Sequence, residues 1–285
     1  MDPSFTYIDF GKAVLTHTSF FLGTYFLLDK MDSGKGLMVS VDKKSTSKNL
    51  EEKDVKELKE RRTVYMKLIS LCHSAYVSSL ALYALTSHER VSDISYAVMS
   101  MDNSAYANDA VFGHELVYIK SKYAHDLVPI TIAFFIYEMV LINQWKDQPG
   151  LMPMVIHHIL SIILFPLATV YNTGHWWLLL FLSYEASTPF LCFKHLIERF
   201  LGKQHISFKI NGILLALSFV VIRNLTAPAI LYSFYHTIPH MDNKLVLILA
   251  IASIIPVILN AIWGSKLIKG VIKVIKSMGN VKKEE

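Results

Sequence analysis

The feature that most constrains this chain is a series of apolar runs, each about 20 residues long, separated by polar and basic segments. As an α-helix, such a run matches the hydrocarbon thickness of a bilayer. Hydrocarbon also tolerates only backbone that satisfies its own hydrogen bonds. The expected fold class is therefore an all-α polytopic membrane protein. Seven transmembrane helices are expected, at 12–29, 64–86, 126–145, 152–171, 176–193, 208–234 and 245–267. Composition agrees, with 53% of the 285 residues hydrophobic, 18% charged and a mean hydropathy of +0.38. The two cysteines, Cys72 and Cys192, lie far apart in expected spans, which argues against a disulfide framework or a zinc knuckle. The opening MDPSFTYIDFGK has neither a basic n-region nor a small-residue cleavage site, so no removable signal peptide is expected.

The basic balance, with a pI near 9.0, would suit a nucleic-acid binder. The basic residues fall in loops between spans, however, so positive-inside topology is the better account and no nucleic-acid partner is expected. With the N-terminus lumenal and the C-terminus cytosolic, the cytosolic segments hold 21 Lys and Arg and the other side five. Trp145, Trp176, Trp177 and Trp263 fall at span ends, where indole rings favour the membrane interface. The linker 30–62 is strongly basic, and its part from Lys43 to Arg62 reads as a short solvated helix or as disorder. The acidic loop 87–125 carries too many aromatic residues for disorder. Near the C-terminus, Lys282-Lys283 fits a dilysine retrieval signal for the endoplasmic reticulum, and equally a basic tail attracted to anionic lipid.

Counting inward from the cytosolic ends places His73, Glu138, His157, His158, Glu185 and Asn260 in one layer, roughly 8–14 Å deep at about 1.5 Å per residue. Ionisable groups at that depth are costly unless paired. A carboxylate beside a histidine orients the ring and raises its basicity, which is what a general base or nucleophilic imidazole needs. His157, His158, Glu138 and Glu185 are therefore the expected catalytic residues. His73, Ser161, Ser187, Thr188, Arg223 and Asn260 are the expected substrate-binding ones. The bland alternative is a buried polar network that fixes helix packing. Metal chemistry of the di-iron kind needs several histidine boxes, and one adjacent pair does not supply them, so no metal is expected. Pro129, Pro166, Pro189, Pro228 and Pro256 bring one bend to each of the last five spans; Pro189 in particular removes the usual donor to the Glu185 carbonyl.

Together these motifs resemble the TLC domain, the membrane module of the ceramide synthases. The resemblance covers about residues 60 to 268. It rests on Leu71-Cys72-His73-Ser74, Asn108 to Gly113, Tyr137-Glu138, Ile156-His157-His158 with Ser161, and Glu185-Ala186-Ser187-Thr188-Pro189-Phe190. It implies a six-helix barrel-like core plus one helix, in the endoplasmic reticulum membrane, acting on lipids. It also implies a division into 1–62 (first helix and basic linker), 63–268 (TLC domain) and 269–285 (basic tail). In the synthases a histidine pair lies where acyl-CoA gives up its chain, so His157 and His158 inherit that expectation. The synthases' second acidic residue after the pair is Thr188 here, and their homeobox-like region is absent. Two functions stay open: an acyltransferase in lipid homeostasis that takes acyl-CoA as co-substrate with no bound cofactor, and a non-enzymatic lipid sensor, carrier or cargo receptor. Membrane lipids are the expected partners, and homo-oligomerisation is left open.

Overall fold

Every regular element in the computed structural model is helical, and no strand occurs among the described residues, 6–36, 48–101, 109–142, 151–238 and 244–281. Helix α1 spans Tyr7–Gly36 and begins at a reciprocal cap. The Thr6 hydroxyl donates to the Asp9 carboxylate at 2.7 Å, while the Asp9 N–H reaches Thr6 Oγ1 at 3.3 Å. Helix α2, Lys48–Ser87, has 40 residues, a length of about 60 Å that exceeds any bilayer core. Its polar first turns therefore project beyond the apolar layer. Of the two readings of 43–62, the helical one holds from Lys48 onward; Lys43 to Ser47 lie outside the described residues.

The acidic loop folds into two short helices, α3 (Glu89–Ser100) and α4 (Asp109–Tyr118). In α3 the buried Val91, Ile94 and Val98 recur at helical spacing and form one apolar face. Arg90 and Glu115 pair between the two helices. Then follow α5 (Lys122–Val140), α6 (Leu151–Val170), α7 (His175–Ser183), a single 3-10 turn at Tyr184–Ser187 and α8 (Thr188–Phe200). The chain continues as α9 (Ile206–Phe219), a π-helical turn at Val220–Asn224, α10 (Ala227–Thr237), α11 (Lys244–Ala252) and α12 (Ile254–Val281).

Five helical stretches are long and apolar enough to cross a membrane: Lys56–Ser87, Lys122–Val140, Leu151–Val170, Ile206–Thr237 and Leu247–Val274. The chain is a multi-pass membrane protein. Two expected spans fall short by this measure. The run 12–29 is diluted by Thr16, His17, Thr18, Ser19 and Thr24. The run 176–193 is two helices rather than one, because the chain tightens at Tyr184–Ser187 just before Pro189 starts α8. There the Thr188 N–H donates to the Glu185 carbonyl, which the proline would otherwise leave without a partner.

The interface expectation for Trp176 and Trp177 is corrected. Both rings are buried inside the protein, with their indole N–H groups donating to Ser95 Oγ and Ser233 Oγ at 3.0 Å each. The reason is that α3, α4 and α10 cover that end of α7. Trp145 lies outside the described residues.

Helix α1 packs on α5, and α2 runs against α5, α7 and α8, while α9 and α12 close the other side. Between α1 and α5 the contact is aromatic, with Phe21 5.6 Å from Phe134 and Tyr25 6.2 Å from Tyr137, both edge to face. Asp29 and Arg62 join α1 to α2 through two hydrogen bonds of 3.0 and 3.1 Å. Outward-facing Ile159, Ile163, Leu214, Leu217, Ile258 and Ile262 are exposed, as a lipid-facing surface requires.

Candidate functional site

Helices α2, α5, α6, α8, α9 and α12 and the two irregular turns line a cavity of about 510 Å³. Its walls are mostly apolar, interrupted by ionisable groups from separate elements. Glu138 comes from the last turn of α5, because a helix buried on nearly all sides carries its one late acidic residue inward. His157 and His158 come from α6, about 100° apart around its axis. They use that angle to straddle Phe135: His158 stacks on the ring at 4.5 Å, and His157 meets its edge at 5.6 Å. His158 Nε2 lies 3.4 Å from Glu138 Oε2, with both side chains buried. Holding a proton on Nε2 leaves Nδ1 as the lone-pair nitrogen, and that atom has no protein partner. His157 is the more accessible of the two and also meets the Trp263 edge at 6.3 Å.

The broken helix supplies the opposite wall. Thr188 Oγ1 donates to Glu185 Oε2 at 2.8 Å, so Glu185 is held by its own turn. Ser187 Oγ donates to the Tyr184 carbonyl at 3.1 Å and accepts from Arg223 Nε at 3.0 Å. Arg223 Nε also donates to the Tyr184 carbonyl at 3.0 Å, and Nη1 reaches Asn260 Oδ1 at 3.4 Å. Phe135, His157, Glu185 and Arg223 border both the main cavity and a narrower cleft of about 30 Å³ behind it. Ser161 and Asn260 line that cleft. The Ser161 hydroxyl is already donated to the His157 carbonyl at 2.9 Å.

The structure thus brings nine of the ten expected site residues to these two connected cavities. His73 is the exception. Its ring is stacked on Phe134 at 3.9 Å with Phe21 at its edge, and both nitrogens are buried without a partner. Its side of α2 faces Phe21 of α1 and Phe134 of α5, and it does not line the cavity.

Lys67 is the residue that sequence reasoning missed. It is buried at the cavity wall and acts electrostatically on Glu138 and Cys192. Glu138 lines the same cavity and feels both the Lys67 ammonium and the Glu185 carboxylate. Lys67 and His195 also line a neighbouring groove of about 550 Å³ with Lys56, Lys59 and Arg199. Arg199 is paired with Glu60 at 3.1 Å. Arg199 lines the groove and Lys194 the cavity, whereas Lys203 and Lys209 line neither. Among the described residues no three His, Cys, Asp or Glu side chains are grouped to hold a metal.

Comparison with known proteins fits this arrangement. A family model described as the TLC domain matches residues 65–269, which takes in every cavity residue named above except Lys56, Lys59 and Glu60 on the outer groove. TLC domain-containing protein 4 A of Dictyostelium discoideum is 27% identical over 143 residues, covering 49% of this chain and 55% of that relative. The match thus spans little more than half the length of the relative. No solved structure matches the chain. With well over half of its residues matched by the family model, the chain belongs to the TLC-domain family.

Proposed function

We propose that this chain is a lipid-homeostasis protein of the endoplasmic reticulum whose cavity transfers an acyl group from acyl-CoA to a lipid acceptor. The observation that carries the reading is the contact of His158 with Glu138 in a cavity that His157 also borders. In this reading His157 meets the substrate while His158 and Glu138 set the charge around it. The His157 imidazole attacks the thioester carbonyl, the CoA thiolate leaves, and the imidazolium proton goes to the thiolate. The acceptor's amine or hydroxyl then takes the acyl group from the imidazole and returns a proton to the ring. The groove lined by Lys56, Lys59 and Arg199 suits the phosphates of CoA. Loop charges support seven spans with the N-terminus lumenal and that groove cytosolic. Lys282 and Lys283, the dilysine candidate, lie outside the described residues.

A second reading, a lipid carrier or cargo receptor without turnover, is favoured by one observation. Thr188 donates a neutral hydroxyl to Glu185 where the resembling synthases carry a second carboxylate. Intact-mass analysis of the purified protein incubated with oleoyl-CoA separates the two. Acyl transfer predicts an adduct of one acyl group, and its absence in a His157→Ala/His158→Ala variant. No adduct, no turnover and an unchanged cellular lipid profile in that variant would leave the carrier reading standing.

A further inference from the structure

Arg223 is a cavity cation whose protein partners leave part of its hydrogen-bonding capacity unused. It is buried at bilayer depth, with its guanidinium carbon 4.7 Å above the Phe219 ring. A guanidinium offers five N–H donors in a planar fork. Nε serves the Tyr184 carbonyl and Ser187, and Nη1 serves Asn260 through a long bond. Among the described residues Nη2 donates to no protein acceptor, and no carboxylate forms an ion pair with Arg223; Glu185 acts on it only at longer range. The Nη2 edge is what remains to face the two cavities that this residue lines.

Two further observations point the same way. Arg223 is carried by the π-helical turn Val220–Asn224, just ahead of Pro228, which removes the usual donor to the Asn224 carbonyl. At bilayer depth irregular backbone is tolerated where it borders a cavity, and π turns recur at functional sites. The cavity that Arg223 lines also carries apolar wall from Phe135, Leu215 and Phe219. The mostly apolar cavity of about 510 Å³ suits a hydrocarbon chain, with the free edge of Arg223 and His157 lining the same space for an acceptor oxygen at its end.

We infer that Nη2 of Arg223 binds the oxygen at the carboxyl end of a single acyl chain, whose hydrocarbon lies against Phe135, Leu215 and Phe219. That oxygen belongs to a free fatty-acid carboxylate or to the carbonyl of an acyl thioester. This deepens the proposed function and rests on it for the acyl nature of the occupant. It puts the acyl carbon at the junction bordered by His157, which makes Arg223 the donor that fixes the carbonyl for either transfer or carriage.

The test uses the full-length protein in nanodiscs with 1-¹³C-oleic acid and 1-¹³C-oleoyl-CoA in separate arms. Binding is measured for the wild type, Arg223→Met and Arg223→Lys, with the ¹³C carbonyl or carboxylate infrared band of bound ligand as a second readout. The expected result is a shifted band in the wild type, affinity lower by at least about tenfold in Arg223→Met with the shift lost, and partial retention in Arg223→Lys. Whichever arm shows this names the source of the oxygen. Wild-type binding with an unshifted band, or equal binding by Arg223→Met, would overturn the role of Arg223 while leaving the proposed function intact. Failure of the wild type to bind either ligand would remove both. The wild-type band decides the matter even if the Met variant does not fold.

Discussion

Gly264 gives the sharpest structural prediction, because it sits where α12 meets the π turn. A Cβ added there would lie 2.7 Å from both Nδ2 and Oδ1 of Asn224 and 2.9 Å from its Cγ. Ordinary contact begins at 3.4 Å, so the Asn224 amide must retreat by about 0.7 Å or more. Retreat loosens the 3.4 Å bond from Asn224 Nδ2 to the Asn260 carbonyl, one turn earlier on α12. Overpacking of this kind costs about 1–3 kcal/mol, against a gain of about 1 kcal/mol from replacing glycine by alanine in a helix. Gly264→Ala should therefore destabilise the protein by up to about 2 kcal/mol net. The assay is thermal unfolding in detergent of Gly264→Ala, Asn224→Ala and the double variant. Once Asn224 is Ala the obstruction is gone, and adding Gly264→Ala should be neutral or stabilising. That change of sign is the signature of direct contact. Equal effects of Gly264→Ala in both backgrounds, or a stabilised single variant, would refute the reasoning.

Other perturbations probe separate parts of the account. Glu138→Gln keeps the shape of the α5 side chain but removes the charge facing His158 at 3.4 Å; acyl transfer measured with labelled oleoyl-CoA should fall at least about a hundredfold with little change in unfolding temperature. Trp177→Phe deletes the indole N–H that serves Ser233, whose hydroxyl still donates to the Ile230 carbonyl at 2.7 Å. Thermal unfolding should show a loss of about 1 kcal/mol and acyl binding should be unchanged. At the start of α1, the Thr6 hydroxyl and N–H hold the exposed Asp9 carboxyl below its usual range. A lowered folded pKa means that the cap is fully formed at neutral pH. It is lost as pH falls from the ordinary aspartate value of about 3.9 through the folded one. Amide exchange over residues 10–12, corrected for intrinsic rates, should therefore rise between pH 5 and about pH 2–3, and Thr6→Ala should already show the fast exchange at pH 7.

The sequence exposes the convergence on the cavity through a single physical rule. Glu138, His157, His158 and Glu185 could not be left in hydrocarbon unpaired, and counting residues put them at one depth. Depth is only one coordinate. His73 shares it, but its azimuth turns it toward Phe21 and Phe134, and nothing in a 20-residue apolar run fixes that angle. Lys67 was hidden for the opposite reason: it follows a segment rich in Lys and Arg and reads as one more flanking charge, although the fold buries it beside Glu138. The break at Tyr184–Ser187 was signalled by Pro189, and the π turn at Val220–Asn224 stands ahead of Pro228 in the same way, with Arg223 bonded across to the broken helix. The indoles of Trp176 and Trp177 looked interfacial because span ends usually are. The helices hidden in the acidic loop supply the cover that buries them.

The central claim is that these side chains wall a chamber that an acyl chain enters. Photo-cross-linking tests it most directly: a diazirine-bearing palmitate is activated in membranes holding the full-length protein, and the labelled peptides are mapped by mass spectrometry. The account predicts label on Phe135, Leu215, Phe219 and Trp263, competed away by excess oleate and reduced in Arg223→Met. Label confined to the outward Ile159, Ile163, Leu217 and Ile258, insensitive to competitor, would contradict it.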